Sequence, residues 1–535
     1  MRRCAHGFFA GVLLCWSTAG LPAAGPTSNP DRIGVKAFRF SGNKVFTSRE
    51  LSNLLGKYTG RSLSAVQLEE VRLLITQHYV NNGYVNSGCL LDPQKVEDGI
   101  VDLRIIEGKL TELHVSGTKW LRAGYIKPRI WRGAGEPLNL NQLQETMLLL
   151  REKPYIQDIK AELQPGKKKG EGVLDVRVED KLDVDLTFIG NNHRPPSVGA
   201  EGLDAQLAVH NPSGWGDQLS ITAGLLQHED EQFRIPGTAN IGARYEVPIT
   251  SQDTTLHLRF DRRNYGVVEE PFDALDIETI AEYYAVDLRH PLRKSLTEEL
   301  ALSLTAEFRE NRTFLASVPF NLAPGAVDGE TRVAVLRPGL EYLKRGRKQV
   351  FAARLTASFG LDVLDATDDG TDRDNEFVSI AGQAQYLRIL NDDGYKLVLG
   401  SGFQWTPGPL LSLEQFSIGG VATVRGYREN SIVRDIGIRG SAELRIPLTA
   451  HLFTDRFAED TFQLVPFFDI GAAWNSDGPT PDPAALPSAG LGFIWNPLER
   501  LNTRFFWGYA FESPADTSGD LQDHGLHFSL TYSPF

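Results

Sequence analysis

At 535 residues the chain is longer than one ordinary hydrophobic core organises, so several domains are expected. Its formal net charge of −13 argues against nucleic-acid binding, which needs a concentrated basic face. The N-terminus has the pattern of a secretory signal: Arg2 and Arg3, an apolar run from Phe8 to Trp16, then Leu21-Pro22-Ala23-Ala24 as a small-residue cleavage site. Cleavage is expected after Ala23 or Ala24, making 1–24 the signal peptide. A lipoprotein site at Leu13-Leu14-Cys15 is the alternative, but Leu14 is bulky for a position next to the modified cysteine. Of three cysteines, Cys4 and Cys15 leave with the signal and only Cys89 stays, so no internal disulfide is expected. Cys89 reads as a small buried hydrophobe. Past the signal no apolar run reaches the ~18 residues of a membrane helix. That leaves a soluble exported protein or a closed β-barrel, the other way to satisfy every backbone group in lipid.

Residues 33–109 and 110–180 read as two copies of one α/β unit. The first opens with Val35-Lys36-Ala37-Phe38-Arg39-Phe40 and Ser41-Gly42-Asn43-Lys44. The second opens with Leu113-His114-Val115 and Ser116-Gly117-Thr118-Lys119. Each continues with an amphipathic helix. Leu68, Val71, Leu74, Ile75 and Tyr79 share one face, with Ser64 as cap; Leu140, Leu143, Met147 and Leu150 share the other, with Asn139 or Asn141 as cap. Each ends in a strand of the same pattern, Gly99-Ile100-Val101-Asp102-Leu103-Arg104-Ile105 and Gly172-Val173-Leu174-Asp175-Val176-Arg177-Val178, which marks an internal repeat. This doubled β-α-α-β-β unit resembles the POTRA domain. Ile106-Glu107-Gly108 fits that family's closing turn, whereas the second copy has Glu179-Asp180 and no glycine there. The edge of such a sheet either accepts an extended client segment as an added strand or is blunted and idle; the resemblance favours recognition.

From residue 181 the pattern alternates with period two. Leu182, Val184, Leu186 and Phe188 interleave with Asp183, Asp185 and Thr187; Ala239, Ile241, Ala243, Tyr245 and Val247 with Asn240, Gly242, Arg244 and Glu246. Segments at 203–209, 219–225 and 256–260 behave alike. Arg244, Glu246, Arg259 and Asp261 suit a wet lumen and not a sandwich core. Later segments fall at 277–290, 297–309, 331–343, 347–360, 375–388, 395–407, 437–447, 462–474, 487–495, 503–512 and 523–533. The total is about sixteen strands, even as bacterial barrels require. Tight connections at 211–216 and 391–394 are assigned to the periplasm; long ones at 310–330, 361–374 and 408–436 face outward. The fold class is therefore mainly β: two α/β modules followed by an antiparallel transmembrane barrel over 181–535.

The stretch Gly419-Gly420-Val421-Ala422-Thr423-Val424-Arg425-Gly426-Tyr427-Arg428 lies in the sixth outward connection. Val424-Arg425-Gly426-Tyr427 resembles the VRGY signature of the sixth extracellular loop in BamA-like barrels. The resemblance implies a loop folded into the lumen, its arginine against an acid on the wall. Asp469, in Phe467-Phe468-Asp469-Ile470-Gly471 on the thirteenth strand, is the expected partner, with Phe467, Asp469 and Gly471 as the wall motif. The last strand carries Phe528, Leu530 and Tyr532 ahead of Phe535, and resembles the C-terminal signal read by the barrel-assembly machinery; Phe535 is one residue out of phase.

Asp365, Asp369 and Glu376 nearly fit a calcium loop, but Thr367 stands where an acid or amide is expected and strands flank it, so a solvated outward loop is the preferred reading. Lys167-Lys168-Lys169 reads as a solvated turn, with a client or lipid contact as the alternative. No metalloprotease, nucleophile-elbow or P-loop motif occurs, and no metal, cofactor or catalytic residue is assigned.

Taken together, these features resemble the TpsB transporters of two-partner secretion (FhaC/ShlB-like), within the superfamily of POTRA-bearing, BamA-like barrels. That resemblance implies an outer-membrane channel of a Gram-negative bacterium with its modules in the periplasm. It would export, without ATP, one large, mostly β-helical TpsA-type partner recognised through that partner's N-terminal secretion domain: an adhesin, a haemolysin or a contact-dependent toxin. Outer-membrane lipid and the barrel-assembly machinery are the other expected partners. Some family members carry a plug helix ahead of the first module. The interval from the predicted cleavage site to Ile33 is too short for one, so gating is expected to rest on loop six. The alternatives are a barrel-assembly insertase, which carries more modules, and a passive porin, which needs none.

Overall fold

The computed structural model describes residues 32–226, 239–270, 272–368, 370, 375–448, 461–512 and 519–534. The signal peptide, the segment that would carry a plug helix, Asp369 and Phe535 lie outside the described residues. Two compact units are present, one ending at Gly108 and one running from Lys109 to Phe535.

The first unit contains β1 (Ile33–Val35), β2 (Ala37–Ser41), α1 (Ser48–Leu54), β3 (Arg61–Leu63), α2 (Ala65–Asn81), β4 (Gly88–Leu90) and β5 (Ile100–Ile106). Thr47 and Ser64 cap the two helices through reciprocal boxes with Glu50 and Gln67. Leu68, Val71, Ile75 and Tyr79 bury one face of α2 against Val101, Leu103 and Ile105 of β5. Cys89 sits in this core, and burial pushes its thiol up to about 12, so it stays a neutral packing group.

The second unit opens with β6 (Lys109–Ser116), α3 (Ala123–Ala134), α4 (Leu140–Arg151, capped by Asn139), β7 (Ile156–Pro165) and β8 (Glu171–Asp180). The repeat in the sequence is a repeat in topology. The sheets run β2-β5-β4 and β6-β8-β7, each with one parallel and one antiparallel neighbour. Gly42 and Gly117 occupy matching positive-φ turns, where a Cβ would strike the carbonyl oxygens of Ile105 and Val178. The missing closing glycine has a physical counterpart. In the first copy Glu107 accepts from the backbone N–H groups of Lys44 and Val45 at 2.7 and 2.8 Å. In the second, Asp180 accepts from those of Lys119, Trp120 and Leu121. A carboxylate that satisfies the turn is what the two copies share.

Sixteen long strands then close a barrel, each pairing antiparallel with its neighbours. The first is Asp183–Asn191, the seventh Glu298–Leu315, the eighth Glu330–Arg345, the eleventh Lys396–Trp405, the twelfth Ile436–Pro447, the thirteenth Phe462–Trp474, the fifteenth Leu501–Ala510 and the sixteenth Leu526–Tyr532. Outward side chains such as Leu203, Ile241, Leu258, Val286, Leu302, Leu355 and Phe403 are exposed apolar groups, as lipid contact requires. Among the described residues no helix is long and apolar enough to cross a membrane.

The sixth strand (Ile277–Lys294) and the seventh are longer than the alternation suggests, each covering 18 residues. The outward connection placed at 310–330 is therefore strand as far as Leu315. Polar cross-strand pairs carry the extension: Arg332 with Glu310 at 2.6 Å, Arg312 with Glu282 at 3.5 Å, and Thr279 with Thr313 at 3.0 Å. A strand held by charges has no apolar face, so the period-two test misses it.

The second module docks on the barrel's tight turns. Arg122 donates to the carbonyls of Gly214 and Ser213, and its guanidinium lies over the Trp215 ring. Arg129 reaches the next turn, donating to Asp253 at 2.9 Å and to the Thr250 carbonyl at 2.9 Å; Lys294 meets the other Asp253 oxygen at 2.6 Å. Burial raises the Asp253 carboxyl, but Lys294, Lys153 and Arg129 outweigh it and hold the group down at about 2. A depressed carboxylate stabilises the folded form above its unfolded value near pH 4, and that stabilisation disappears as pH falls through 2. The expected loss is about 2 kcal/mol. Asp253→Asn should flatten this pH dependence, read as thermal unfolding of the second module between pH 5 and 2; a slope identical to the parent would exclude the clamp.

Candidate functional site: a loop latched inside the lumen

Residues 406–435 leave the eleventh strand and return to the twelfth. They fold inward as a short hairpin, Phe416–Ile418 against Ile432–Arg434. The hairpin sits between opposite walls. On one side Glu414, in a short turn at Ser412–Glu414, takes both oxygens to Arg337 at 2.7 Å, with Arg309 at 3.6 Å. These arginines belong to the eighth and seventh strands. At the root Asp435, fully buried, accepts from Leu410 N, the Gln415 amide and both the backbone and hydroxyl of Ser476.

On the other side lies the Val424-Arg425-Gly426-Tyr427 turn. Arg425 is 3% exposed and Asp469 1%. The guanidinium meets the carboxylate bidentately, Nε to Oδ2 at 2.7 Å and Nη2 to Oδ1 at 2.8 Å, and the Arg425 backbone N–H adds a third bond at 3.1 Å. Its remaining nitrogen donates to Glu443 of the twelfth strand at 2.7 Å. The cation lies 3.7 Å above the Phe467 ring and 4.9 Å from Phe506. One arginine thus meets two carboxylates and two rings, and Arg445 shares Glu443.

The neighbours supply fit. Val424 and Ile418 press on Gly471, where a Cβ would approach Val424 to 2.9 Å. Tyr427 is buried and donates to the Pro487 carbonyl at 2.8 Å while accepting from Glu512 N at 3.0 Å. Gly426, at φ +94°, lies against Gly508 of the fifteenth strand, backbone on backbone. Sequence reasoning passed over Glu443, Phe506, Gly508 and Glu414. The available signal was the lumen-facing alternation Ser441, Glu443, Arg445, which marks Glu443 as inward but names no partner.

Leu530 and Tyr532 of the sixteenth strand face outward and exposed; Phe528 is half-buried. At the calcium-like loop, Thr367 exchanges hydrogen bonds with the backbone of Arg332, which ties this part of the loop to the eighth strand. Asp183, Asp185 and His210 place one ligand atom each within 4.8 Å of one another. His210 hydrogen-bonds Asp185 at 2.9 Å, and Lys181 pairs with Asp183 at 2.5 Å.

A family model described as haemolysin secretion/activation protein ShlB/FhaC/HecB matches residues 170–493, and one described as POTRA domain, ShlB-type, matches residues 33–108. The chain belongs to the ShlB/FhaC/HecB family. It is an outer-membrane transporter of the TpsB class and not an enzyme. Outer membrane transporter CdiB of Escherichia coli is 24% identical over 411 residues, 74% of this chain and 66% of that protein, so the match spans about two thirds of that relative's length. Heme/hemopexin transporter protein HuxB of Haemophilus influenzae is 25% identical over 181 residues, 34% of this chain and 32% of that protein. The solved structure of CdiB from Escherichia coli superposes with a TM-score of 0.69 at 20% identity, covering 96% of this chain and 93% of that one; it shares the fold.

Proposed function

We propose that this ShlB/FhaC/HecB-family barrel exports one large TpsA-type partner, captured by its N-terminal secretion domain and passed unfolded through the lumen without ATP. The observation that carries the reading is the loop-six latch. The lumen is occupied by a hairpin held through a few buried charges, so a route opens once those charges are exchanged for other partners. The modules supply the capture step. β2 and β6 are sheet edges, and an edge presents unpaired N–H and C=O groups to an extended client. At the opposite edge β4 is tied to α2, Cys89 N–H donating to the Thr76 hydroxyl and the Cys89 carbonyl accepting from Arg72, and Gln94 exchanges two hydrogen bonds with the Asp102 backbone beyond it, so β2 is the side of the first sheet offered to a client. Arg425 and Asp469 hold the closed state, and the outward face of the last strand meets lipid and is read during assembly of the barrel. Of the two relatives only HuxB is named for a cargo, and similarity at this level does not assign that cargo to this chain.

Deletion of the gene tests the reading. Loss of one very large protein from the medium, with outer-membrane barrels unchanged, is the expected result. Depletion of barrels from the outer membrane would instead establish an insertase, and no change in either would establish a passive pore. A photoreactive residue at Arg39 should crosslink to the N-terminal domain of the lost protein.

A further inference from the structure

The barrel closes where its first strand meets its sixteenth, and this seam is short. It has four residue pairs, from Asn191↔Ser529 to Phe188↔Tyr532, against nine between the first and second strands. Beyond those four pairs, side chains take over from the backbone. Asn192, fully buried, donates its Nδ2 to the Leu526 carbonyl at 2.9 Å and accepts from Phe528 N at 2.8 Å. Its own N–H donates to the Phe528 carbonyl at 3.4 Å. One asparagine therefore imitates a further ladder step.

Gln522, in the short turn ahead of the sixteenth strand, is also fully buried. Its Nε2 donates to the carbonyls of Asn192 and Arg194, both at 2.7 Å. Its Oε1 accepts the backbone N–H of Glu429, in loop six, at 2.8 Å. A single amide spans the loop and the end of the first strand. Loop six also touches the start of the sixteenth strand and the turn ahead of it. Gly426 N–H points to His527 Nε2 at 3.3 Å, and Arg428 grips Asp523, the residue after Gln522, and Glu269 at 2.9 Å.

We propose that Gln522 couples loop six to the seam, so that the outward end of the seam loosens when the loop leaves the lumen. The amide has two ends, and each fixes the other. When Glu429 N–H withdraws, Oε1 is left buried and unsatisfied, and the amide turns toward another donor. The carbonyls of Asn192 and Arg194 then lose their donor at the place where backbone pairing has already stopped. A seam with few ladder bonds responds to the loss of two more; a long strand pair does not. Loop position and barrel circumference are in this way one coordinate.

Hydrogen–deuterium exchange on the full-length protein in lipid nanodiscs tests the coupling. Asp469→Asn, which weakens the hold on Arg425, should speed exchange of amides in 188–194 and 526–532 by about tenfold. Exchange between the ninth and tenth strands, Gln349–Leu361 and Val378–Ile389, should stay at the parental rate. Gln522→Leu should speed the seam by a similar factor alone, and adding Asp469→Asn should then change it little. Gln522→Glu keeps the acceptor for Glu429 N–H and loses the donor, so it should loosen the seam even if the leucine variant does not fold. A seam unmoved by Asp469→Asn, effects that multiply in the double variant, or equal acceleration around the whole barrel would each overturn the proposal.

Discussion

Arg425→Asp and Asp469→Arg are each expected to cut export of the partner sharply, and the double exchange to restore part of it. Each single change leaves like charges facing one another in a site that is nearly closed to water. Removing one member of a buried ion pair costs about 3–5 kcal/mol, because the remaining charge keeps its desolvation penalty and loses its partner. Here Glu443 sharpens the prediction. Arg425→Asp gathers three carboxylates within one lumen pocket, whereas the exchange restores one cation between two acids. Glu443→Gln should be the mildest of the set, since Arg425 keeps its bidentate bond to Asp469. The measurement is the amount of partner in the medium, normalised to barrel in the outer membrane. Export by Asp469→Ala equal to the parent would remove the latch from the transport cycle.

What the sequence made legible follows from where its signals are local. Period-two alternation is local, so sixteen strands and the thirteenth-strand position of Asp469 could be counted. The repeat of two modules was visible because both copies keep the glycine turn and the Gly-apolar-apolar-Asp-apolar-Arg-apolar strand. Arg425 stood out through a short contiguous motif. The rest of the site joins residues remote in sequence. Glu414 meets Arg337 across 77 positions, and Gln522 meets Asn192 across 330. Each such residue looks like any polar group in a turn or on a lumen face. The charged extensions of the sixth and seventh strands were hidden for a related reason: their pairing is written in complementary charges on neighbouring strands, not in alternation along one. The docking clamp at Asp253 has no sequence signature, because Arg129, Lys153 and Lys294 come together only in the fold.

Gly508→Ala is expected to expel the tip of loop six while leaving the barrel folded. In the strand interior an alanine costs nothing locally, and relative to glycine it gains up to about 1 kcal/mol of backbone entropy. The cost arises at the contact. A Cβ at Gly508 would lie 2.7 Å from both Cα and N of Gly426 and 2.8 Å from the Arg425 carbonyl carbon, all backbone atoms with no rotamer to yield. Gly508 is also paired in register with Gly490 on the fourteenth strand, so the ladder resists its displacement away from the loop. Overpacking of this kind costs about 1–3 kcal/mol, and the strain falls on the turn that aims Arg425 at Asp469. Gly426→Ala should act in the same direction and more strongly, since it adds the strain of a side chain at φ +94° to the same clash. Planar-bilayer recordings should show larger and longer openings for both variants, with the heat-modifiable gel mobility of a folded barrel retained. The two substitutions should combine less than additively, because either one alone already breaks the shared contact. Parental conductance in Gly508→Ala would mean that the loop can retreat from the wall without leaving the lumen, and that backbone contact between these two glycines is not what seats it.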